Sequence, residues 1–232
     1  MEYRKNDIVT LEIVDCGTDG EGIGKADGFT VFVKDAVIGD TVTAKIMKAK
    51  KNYGYGRLME ILKPSPYRVE PVCPSARQCG GCQLQAVSYE EQKVFKEKKL
   101  RGHLERIGGF RDLPMEPMIG MDEPYHYRNK AQFPVGRNKE GRIITGFYAG
   151  RTHAIIENRD CALGIPQNKE ILDIVIAHME KYGIAPYDEM TGKGLVRKHL
   201  RVYKNSFKVE SFCERAAFFA VCFLFFKNLE KK

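Results

Sequence analysis

The chain lacks any hydrophobic run long enough to cross a membrane. Its longest uninterrupted apolar stretch, residues 216–226, has eleven residues, whereas a membrane-spanning helix needs about 20. The first fifteen residues, MEYRKNDIVTLEIVD, are charged from the second position and have no apolar core, so they do not resemble a secretory signal. Internal repeats and low-complexity segments are absent as well. We therefore expect neither a membrane protein nor a membrane partner.

The composition is that of an ordinary globular protein. Its 232 residues provide for one large domain or two small ones, and 43% are hydrophobic and 29% charged. Seven cysteines without an export signal indicate a reducing compartment, where thiols bind metal or react more often than they pair. The expected location is the cytoplasm.

The positive charge is unevenly distributed along the chain. Residues 1–62 carry nine basic and ten acidic side chains, whereas residues 63–232 carry 29 and 20, so their net charges of −1 and +9 give the total of +8. A basic excess often serves solubility alone. Nucleic acid is the leading specific partner, because Lys and Arg neutralise phosphates.

The first sixty residues alternate apolar and polar side chains in short runs separated by Gly and Asp, which predicts a small closed β-barrel of the OB type. Prolines at 64, 66 and 71 then indicate a linker. The glycine-rich stretch Gly20–Gly24 imitates a cofactor-binding loop, but turn and strand residues follow it rather than a helix, so we interpret it as a barrel turn. The predicted strands are residues 8–14, 29–33, 42–46 and 56–62.

The rest of the chain mixes helices and strands. Ser88 with Glu91 forms a capping box that predicts a helix from residue 88 to 108. Its apolar side chains Val94, Leu100, Leu104 and Ile107 are expected to pack against another element. A second helix is predicted from Pro166 to Gly183, with Ile171, Ile174, Val175, His178, Met179 and Tyr182 on its apolar stripe. Three strands are predicted between the helices: residues 131–135, 143–148 and 154–156.

Three cysteines within ten residues, Cys73, Cys79 and Cys82, carry the strongest chemical signal. Three thiolates leave a tetrahedral metal site one ligand short, and Cys161 is the candidate for the fourth. The spacing alone suits a [4Fe–4S] cluster, a structural zinc site or unrelated thiols. Cys16 is interpreted as a small buried apolar residue, and Cys213 and Cys222 have no partner spacing.

Four collinear motifs resemble the RNA (uracil-5-)-methyltransferase family, which modifies ribosomal and transfer RNA. The resemblance covers about residues 1–197, and residues 7–62 look like the family's TRAM domain, an OB-like RNA-binding barrel. The motifs are Cys73 to Gln85, Tyr127 to Val135, Gly146–Tyr148 with His153, and Asp160–Cys161.

The resemblance implies a mainly β chain that becomes α+β. It divides the sequence into a TRAM barrel over residues 1–63, a mixed iron–sulfur central domain over 64–205 and an atypical Phe-rich tail over 206–232. It also implies a [4Fe–4S] cluster on Cys73, Cys79, Cys82 and Cys161. The family's S-adenosylmethionine site and catalytic residues belong to a Rossmann-like domain that matches nothing here.

Agreement with the family slips at Lys198 and is lost after Asn205. We expect a truncation or frameshift, so that this chain alone is inactive as a methyltransferase; a hydrophobic C-terminal helix docked on the body is the alternative. The alternative function is a stand-alone RNA-binding iron–sulfur protein.

The expected partner is RNA, ribosomal or transfer, and not DNA. Basic and aromatic residues between two barrel strands are of the kind with which OB-type folds bind single strands, although a solvated hairpin tip is the alternative. Arg128 and Lys130 fall in a family-like motif; Arg128 could equally form a structural ion pair. The candidate RNA contacts are Lys45, Lys48, Lys50, Lys51, Tyr53, Tyr55, Arg57, Arg128 and Lys130.

Overall fold

The computed structural model describes residues 3–203 and 209–213, with side chains as far as residue 198. The chain divides into two compact units. Unit 1 consists of Met1–Arg77 and Cys82–Asp122, and unit 2 consists of Gln78–Gly81 and Glu123–Lys232. The first helix belongs to the same unit as the barrel.

Unit 1 contains a closed five-stranded barrel in the order β1-β2-β3-β5-β4. Strands β3 and β5 pair in parallel, and the other neighbours pair antiparallel. Alternate residues of each strand point inward and form an apolar core that includes Ile13, Val31, Val42 and Ile46. The strands are β1 (Ile8–Cys16), β2 (Gly22–Ala26), β3 (Phe29–Lys34), β4 (Thr41–Ala49) and β5 (Tyr53–Lys63).

Strand β2 begins inside the glycine-rich stretch that the sequence predicted to be a turn. The turn is confined to residues before Gly22, and Gly22 to Ala26 pair with β3 as a regular hairpin. A Cβ on Gly24 would lie 2.4 Å from both the Glu12 carbonyl oxygen and the Leu11 Cδ1. This glycine is therefore required because β1 passes too close for any side chain.

The first helix, α1 (Tyr89–Arg106), confirms the capping box, since the Ser88 hydroxyl accepts a hydrogen bond from the Glu91 amide at 3.4 Å. No residue of α1 is buried. The side chains of Val94, Leu100 and Ile107, expected to pack against another element, are exposed among the residues that the structure describes.

Unit 2 is built on a five-stranded sheet in the order β10-β9-β6-β7-β8, with every pair antiparallel. The three strands predicted between the helices are present, with small shifts at their ends. The strands are β6 (Lys130–Arg137), β7 (Ile143–Tyr148), β8 (Ile155–Glu157), β9 (Lys198–Tyr203) and β10 (Val209–Cys213). The Phe-rich segment from residue 216 lies outside the described residues.

The second helix, α2 (Gln167–Lys181), packs on this sheet. Its buried residues are Asn168, Leu172, Ile176 and Met179. The predicted stripe was right about Met179 but was otherwise displaced around the helix: Ile171 and Val175 border the buried face, and Tyr182 is 60% exposed. Within the described part of the chain, no helix is long and apolar enough to span a membrane.

The expectation of an iron–sulfur central domain is wrong as a description of this fold. Cys73 and Cys82 belong to unit 1, whereas Cys79 and Cys161 belong to unit 2. Among the described residues, no three His, Cys, Asp or Glu side chains are grouped so that they could hold a metal ion. Residues 123–203 instead form an antiparallel sheet covered by α2, with an ordinary apolar core.

Candidate nucleic-acid interface

Three aromatic rings form a patch on the outer face of the barrel. Phe32 on β3 lies 5.8 Å from Tyr53 and 5.5 Å from Tyr55 between ring centroids, and the two tyrosines of β5 lie 5.8 Å apart. Tyr53 is 38% and Tyr55 37% exposed. We call these three residues the aromatic patch.

The local sequence of β5, Tyr-Gly-Tyr-Gly-Arg, explains why the patch faces outward. Gly54 and Gly56 occupy the inward positions, where they are buried against the core. A Cβ on Gly56 would lie 3.1 Å from both Ala44 Cβ and Val31 Cγ1. In this part of β5 the inner face is thus filled by its neighbours, and the large side chains of Tyr53, Tyr55 and Arg57 project to the outside.

A row of basic side chains runs beside the aromatic patch across three strands. The register pairs Lys34 of β3 with Arg57 of β5, and Arg57 with Lys45 of β4. Neighbouring strands are about 4.8 Å apart, so these three residues, which we call the basic row, form a continuous line. Lys48 lies opposite Tyr55 and extends the positive charge to the patch itself.

The alternative of a solvated hairpin tip describes only part of this region. Lys50 and Lys51 are exposed at the turn, where the Lys50 amide donates to the Tyr53 carbonyl oxygen at 2.8 Å. The tyrosines are not packed beneath that tip, because they lie on the outer barrel surface with Phe32.

The sequence interpretation missed Phe32 and Lys34. Both lie on β3 at outward positions that alternate with the fully buried Val31 and Val33. The alternation was the available signal, since it places Phe32 and Lys34 on the face opposite the core. The Lys34 ammonium also donates to the Arg77 carbonyl oxygen at 3.0 Å, which restrains its position.

The other two candidate contacts, Arg128 and Lys130, belong to unit 2. The Arg128 amide donates to the Leu163 carbonyl oxygen at 2.9 Å, and its side chain is half-buried. Among the residues described, the Arg128 guanidinium has no ion-pair partner, so the structural ion pair considered for it is not found there. Lys130 begins β6 and is exposed.

The four candidate metal ligands occupy different environments. Cys73 and Cys79 are buried, while Cys82 and Cys161 are half-buried. In unit 2, the Gly81 amide donates to the Cys79 sulfur at 3.3 Å, and the Gly80 amide donates to the Tyr148 carbonyl oxygen. In unit 1, the Cys73 amide donates to the Gln85 side-chain oxygen. No group of metal-binding side chains is found in the part of the chain that the structure describes, and the assignment of these four thiols as ligands stays a prediction.

Cys16 at the end of β1 is half-buried, so its interpretation as a fully buried residue was wrong. Burial raises the pKa of the Cys16 thiol to about 11, so the group stays protonated and weakly nucleophilic near neutral pH. The glycine-rich stretch Gly20–Gly24 does not fit S-adenosylmethionine, because it leads into β2 rather than into a helix.

Comparison with known proteins gives these features a family context. Residues 4–59 match the TRAM domain family. The chain is 44% identical over 202 residues to an uncharacterized RNA methyltransferase of Clostridium tetani, covering 87% of this chain and 43% of that protein. A similarly named protein of Halalkalibacterium halodurans is 43% identical, over 88% of this chain and 44% of its own length.

A solved structure shares the fold. The tRNA (uracil-54, C5)-methyltransferase of Pyrococcus abyssi, in complex with S-adenosyl-L-homocysteine, matches 89% of this chain and 46% of its own, with a TM-score of 0.62 and 21% identity. At that identity the likeness concerns the fold alone. The chain spans less than half the length of each of these three proteins.

The barrel and the residues on its outer face define a protein with a TRAM domain. The resemblance to RNA methyltransferases, predicted from the motifs around Cys79 and Tyr127, is confirmed by the chain's similarity to these two relatives. The solved tRNA methyltransferase shares the fold.

Proposed function

We propose that this chain binds unpaired RNA on the outer face of its TRAM barrel and acts in the methylation of that RNA. The observation that carries the proposal is the combination of an exposed aromatic patch on β3 and β5 with a basic row that crosses β3, β5 and β4. Every base has a π-face that can stack on an aromatic ring, and every nucleotide has a phosphate that Lys or Arg can neutralise.

The aromatic patch and the basic row are spaced for contacts with a single strand of RNA. Tyr55 and Arg57 are two residues apart on β5, which separates them by about 6.6 Å along the strand. A base stacked on Tyr55 can thus belong to a nucleotide whose phosphate meets Arg57 or Lys45. A paired base is already stacked between its neighbours and cannot reach the ring, so the arrangement favours unpaired RNA.

The residues assigned to RNA contact are those predicted from the sequence together with the two that the structure adds. Arg128 contributes a half-buried cation without an ion-pair partner in the described chain, and Lys130 contributes an exposed one. We assign both to phosphate contacts in unit 2. The barrel contacts are Phe32, Lys34, Lys45, Lys48, Lys50, Lys51, Tyr53, Tyr55 and Arg57.

The reaction is proposed from the relatives. Their names support RNA methylation, and the tRNA (uracil-54, C5)-methyltransferase with its bound S-adenosyl-L-homocysteine supports transfer from S-adenosylmethionine to C5 of a uridine. The proposed substrate is a ribosomal or transfer RNA in the cytoplasm. The described residues are assigned to RNA binding, and no step of methyl transfer is assigned to them.

Binding is tested with the full chain and two RNA probes. One is a single strand of about twelve nucleotides, within the range that OB folds cover, and the other is a duplex of the same sequence. We expect the single strand to bind more tightly, with an affinity that falls linearly on a logarithmic salt scale. Equal binding of the two probes, or no binding at low salt, would overturn the proposal.

The methylation part is tested separately in cells. Deletion of the gene that encodes this sequence should remove 5-methyluridine from at least one position of ribosomal or transfer RNA, as measured by mass spectrometry of the digested RNA. Restoring the gene is the control. Unchanged 5-methyluridine would refute the reaction and leave the RNA-binding result standing.

A further inference from the structure

A second aromatic pair lies in unit 2, at the turn that connects β7 to β8. Tyr148 is the last residue of β7, and His153 lies in the turn that follows it. Their rings stack with centroids 5.3 Å apart and an angle of 25° between planes. The His153 side chain is nevertheless 76% exposed. One face of the imidazole therefore contacts Tyr148, and the opposite face is open to solvent.

Polar contacts fix the orientation of the imidazole. His153 Nδ1 lies 2.9 Å from Glu189 Oε2, and Glu189 Oε1 accepts a hydrogen bond from Arg197 Nη2 at 3.0 Å. The Arg197 guanidinium lies over the Tyr187 ring, 5.9 Å from its centroid. Because Nδ1 is used by Glu189, Nε2 is the edge of the ring that remains available to a ligand.

The backbone on both sides of this contact is held in place. In the β7–β8 turn, the Ala149 amide donates to the Ala154 carbonyl oxygen at 2.8 Å, and the Thr152 amide donates back to Ala149. In the loop that carries Glu189, the Asp188 amide donates to the Lys193 carbonyl oxygen at 2.7 Å. An exposed ring in such a setting loses little conformational entropy when a ligand stacks on it.

We propose that the Tyr148–His153 pair is a stacking platform for one unpaired base of the RNA, with the base lying on the open face of His153. The inference rests on the proposed function, namely that the chain binds unpaired RNA. Stacking on His or Tyr is a common way in which proteins hold a base that has left its helix. Arg151, exposed two residues before His153, adds positive charge for the neighbouring phosphate.

The competing role for His153 is that of a clamp, which joins the two loops through Glu189 and never meets RNA. His153→Phe distinguishes the two roles, because phenylalanine keeps a flat aromatic face but cannot bind Glu189. A platform predicts that His153→Phe retains RNA affinity and that His153→Ala loses it. A clamp predicts that neither substitution changes RNA affinity, or that both impair it equally through the fold.

The experiment uses the full chain and a single-stranded RNA of about twelve nucleotides that contains 2-aminopurine, whose fluorescence is quenched when it stacks. We expect His153→Ala to weaken binding about tenfold and to reduce the quenching, while His153→Phe stays within about twofold of the parent chain. Thermal melting of each variant verifies that unit 2 is folded.

The two His153 variants are also measured in a chain that carries Tyr55→Ala. This substitution removes the barrel's contribution to the quenching. His153→Ala binding as tightly as the parent, or His153→Phe losing as much affinity as His153→Ala, would refute the platform and leave the proposed function intact. A parent chain that binds no RNA would refute the proposed function itself.

Discussion

Asp40 is fully buried, and Arg68 donates to both of its carboxylate oxygens. The remaining acceptor positions of the carboxylate receive the backbone amides of Val37 at 2.7 Å and Ser65 at 2.8 Å. The Arg68 guanidinium also donates to the Asp35 carbonyl oxygen at 2.9 Å. The Asp40–Arg68 pair joins the proline-containing segment after β5 to the loop between β3 and β4.

Arg68→Met should lower the free energy of unfolding by about 3 kcal/mol, because it leaves a buried carboxylate without its counter-charge. The matched control is Arg77→Met. Arg77 lies 3.7 Å from Asp35, but its side chain is 68% exposed, so the loss should stay below about 1 kcal/mol. Urea unfolding followed by circular dichroism measures both. Equal losses for the two variants would contradict the role given to Arg68.

The same pair predicts how stability depends on pH. Burial raises the pKa of Asp40, but the hydrogen bonds from Arg68, Ser65 and Val37 outweigh it and hold the pKa below its ordinary value of 3.8. A lowered pKa in the folded state stabilises the protein above the unfolded value, and the stabilisation is lost as the pH falls through the folded value. The difference in unfolding free energy between the parent and Arg68→Met should therefore shrink below about pH 4. A difference that stays constant down to about pH 2 would refute the assignment to Asp40.

The parts of the fold that were predictable are those with a regular local pattern. Period-two alternation identified β1, β3, β4 and β5, and the Ser88 capping box identified α1. Strand β2 was missed because two of its five residues are glycines, whose presence reflects the close passage of β1 rather than a turn. A local pattern does not report on a neighbour that is distant in sequence.

The candidate site shows the same limit. The basic and aromatic residues between Lys48 and Arg57 were identified from their types and proximity in sequence. Phe32 and Lys34 were missed because the parallel pairing of β3 with β5 brings them there from twenty residues away in the chain. The cysteine spacing favoured a single metal site, but spacing does not tell which compact unit each thiol joins.

Gly24→Ala should destabilise the barrel by about 3 kcal/mol or prevent its folding, because the new Cβ would overlap the Glu12 carbonyl oxygen and the Leu11 side chain. Lys25→Ala, at the exposed neighbouring position, is the control and should change stability by less than about 0.5 kcal/mol. Thermal melting measures both variants. A Gly24→Ala chain as stable as the parent would show that this stretch is a loop and not β2.

Tyr55→Ala should reduce the affinity for single-stranded RNA by about 1–3 kcal/mol, because a stacked base loses its ring. Tyr55→Phe keeps the ring and should bind nearly as tightly as the parent. Tyr67→Ala removes an exposed tyrosine outside the aromatic patch and should leave the affinity unchanged. Fluorescence anisotropy with a labelled RNA measures all three. If Tyr55→Phe lost as much as Tyr55→Ala, the contact would depend on the hydroxyl and not on stacking.

Arg57→Gln should change the salt dependence of RNA binding more than it changes the preference between RNA sequences. A phosphate contact to single-stranded RNA contributes about 0.7 to the slope of log affinity against log salt, so the slope should decrease by about that amount. Lys63→Gln is the control, since Lys63 is the last residue of β5 and lies about 20 Å from Arg57 along the strand. Its slope should equal that of the parent chain. Equal decreases for both variants would mean that the positive charge acts through the general field of the protein, whereas a decrease for Arg57→Gln alone places a phosphate on the basic row.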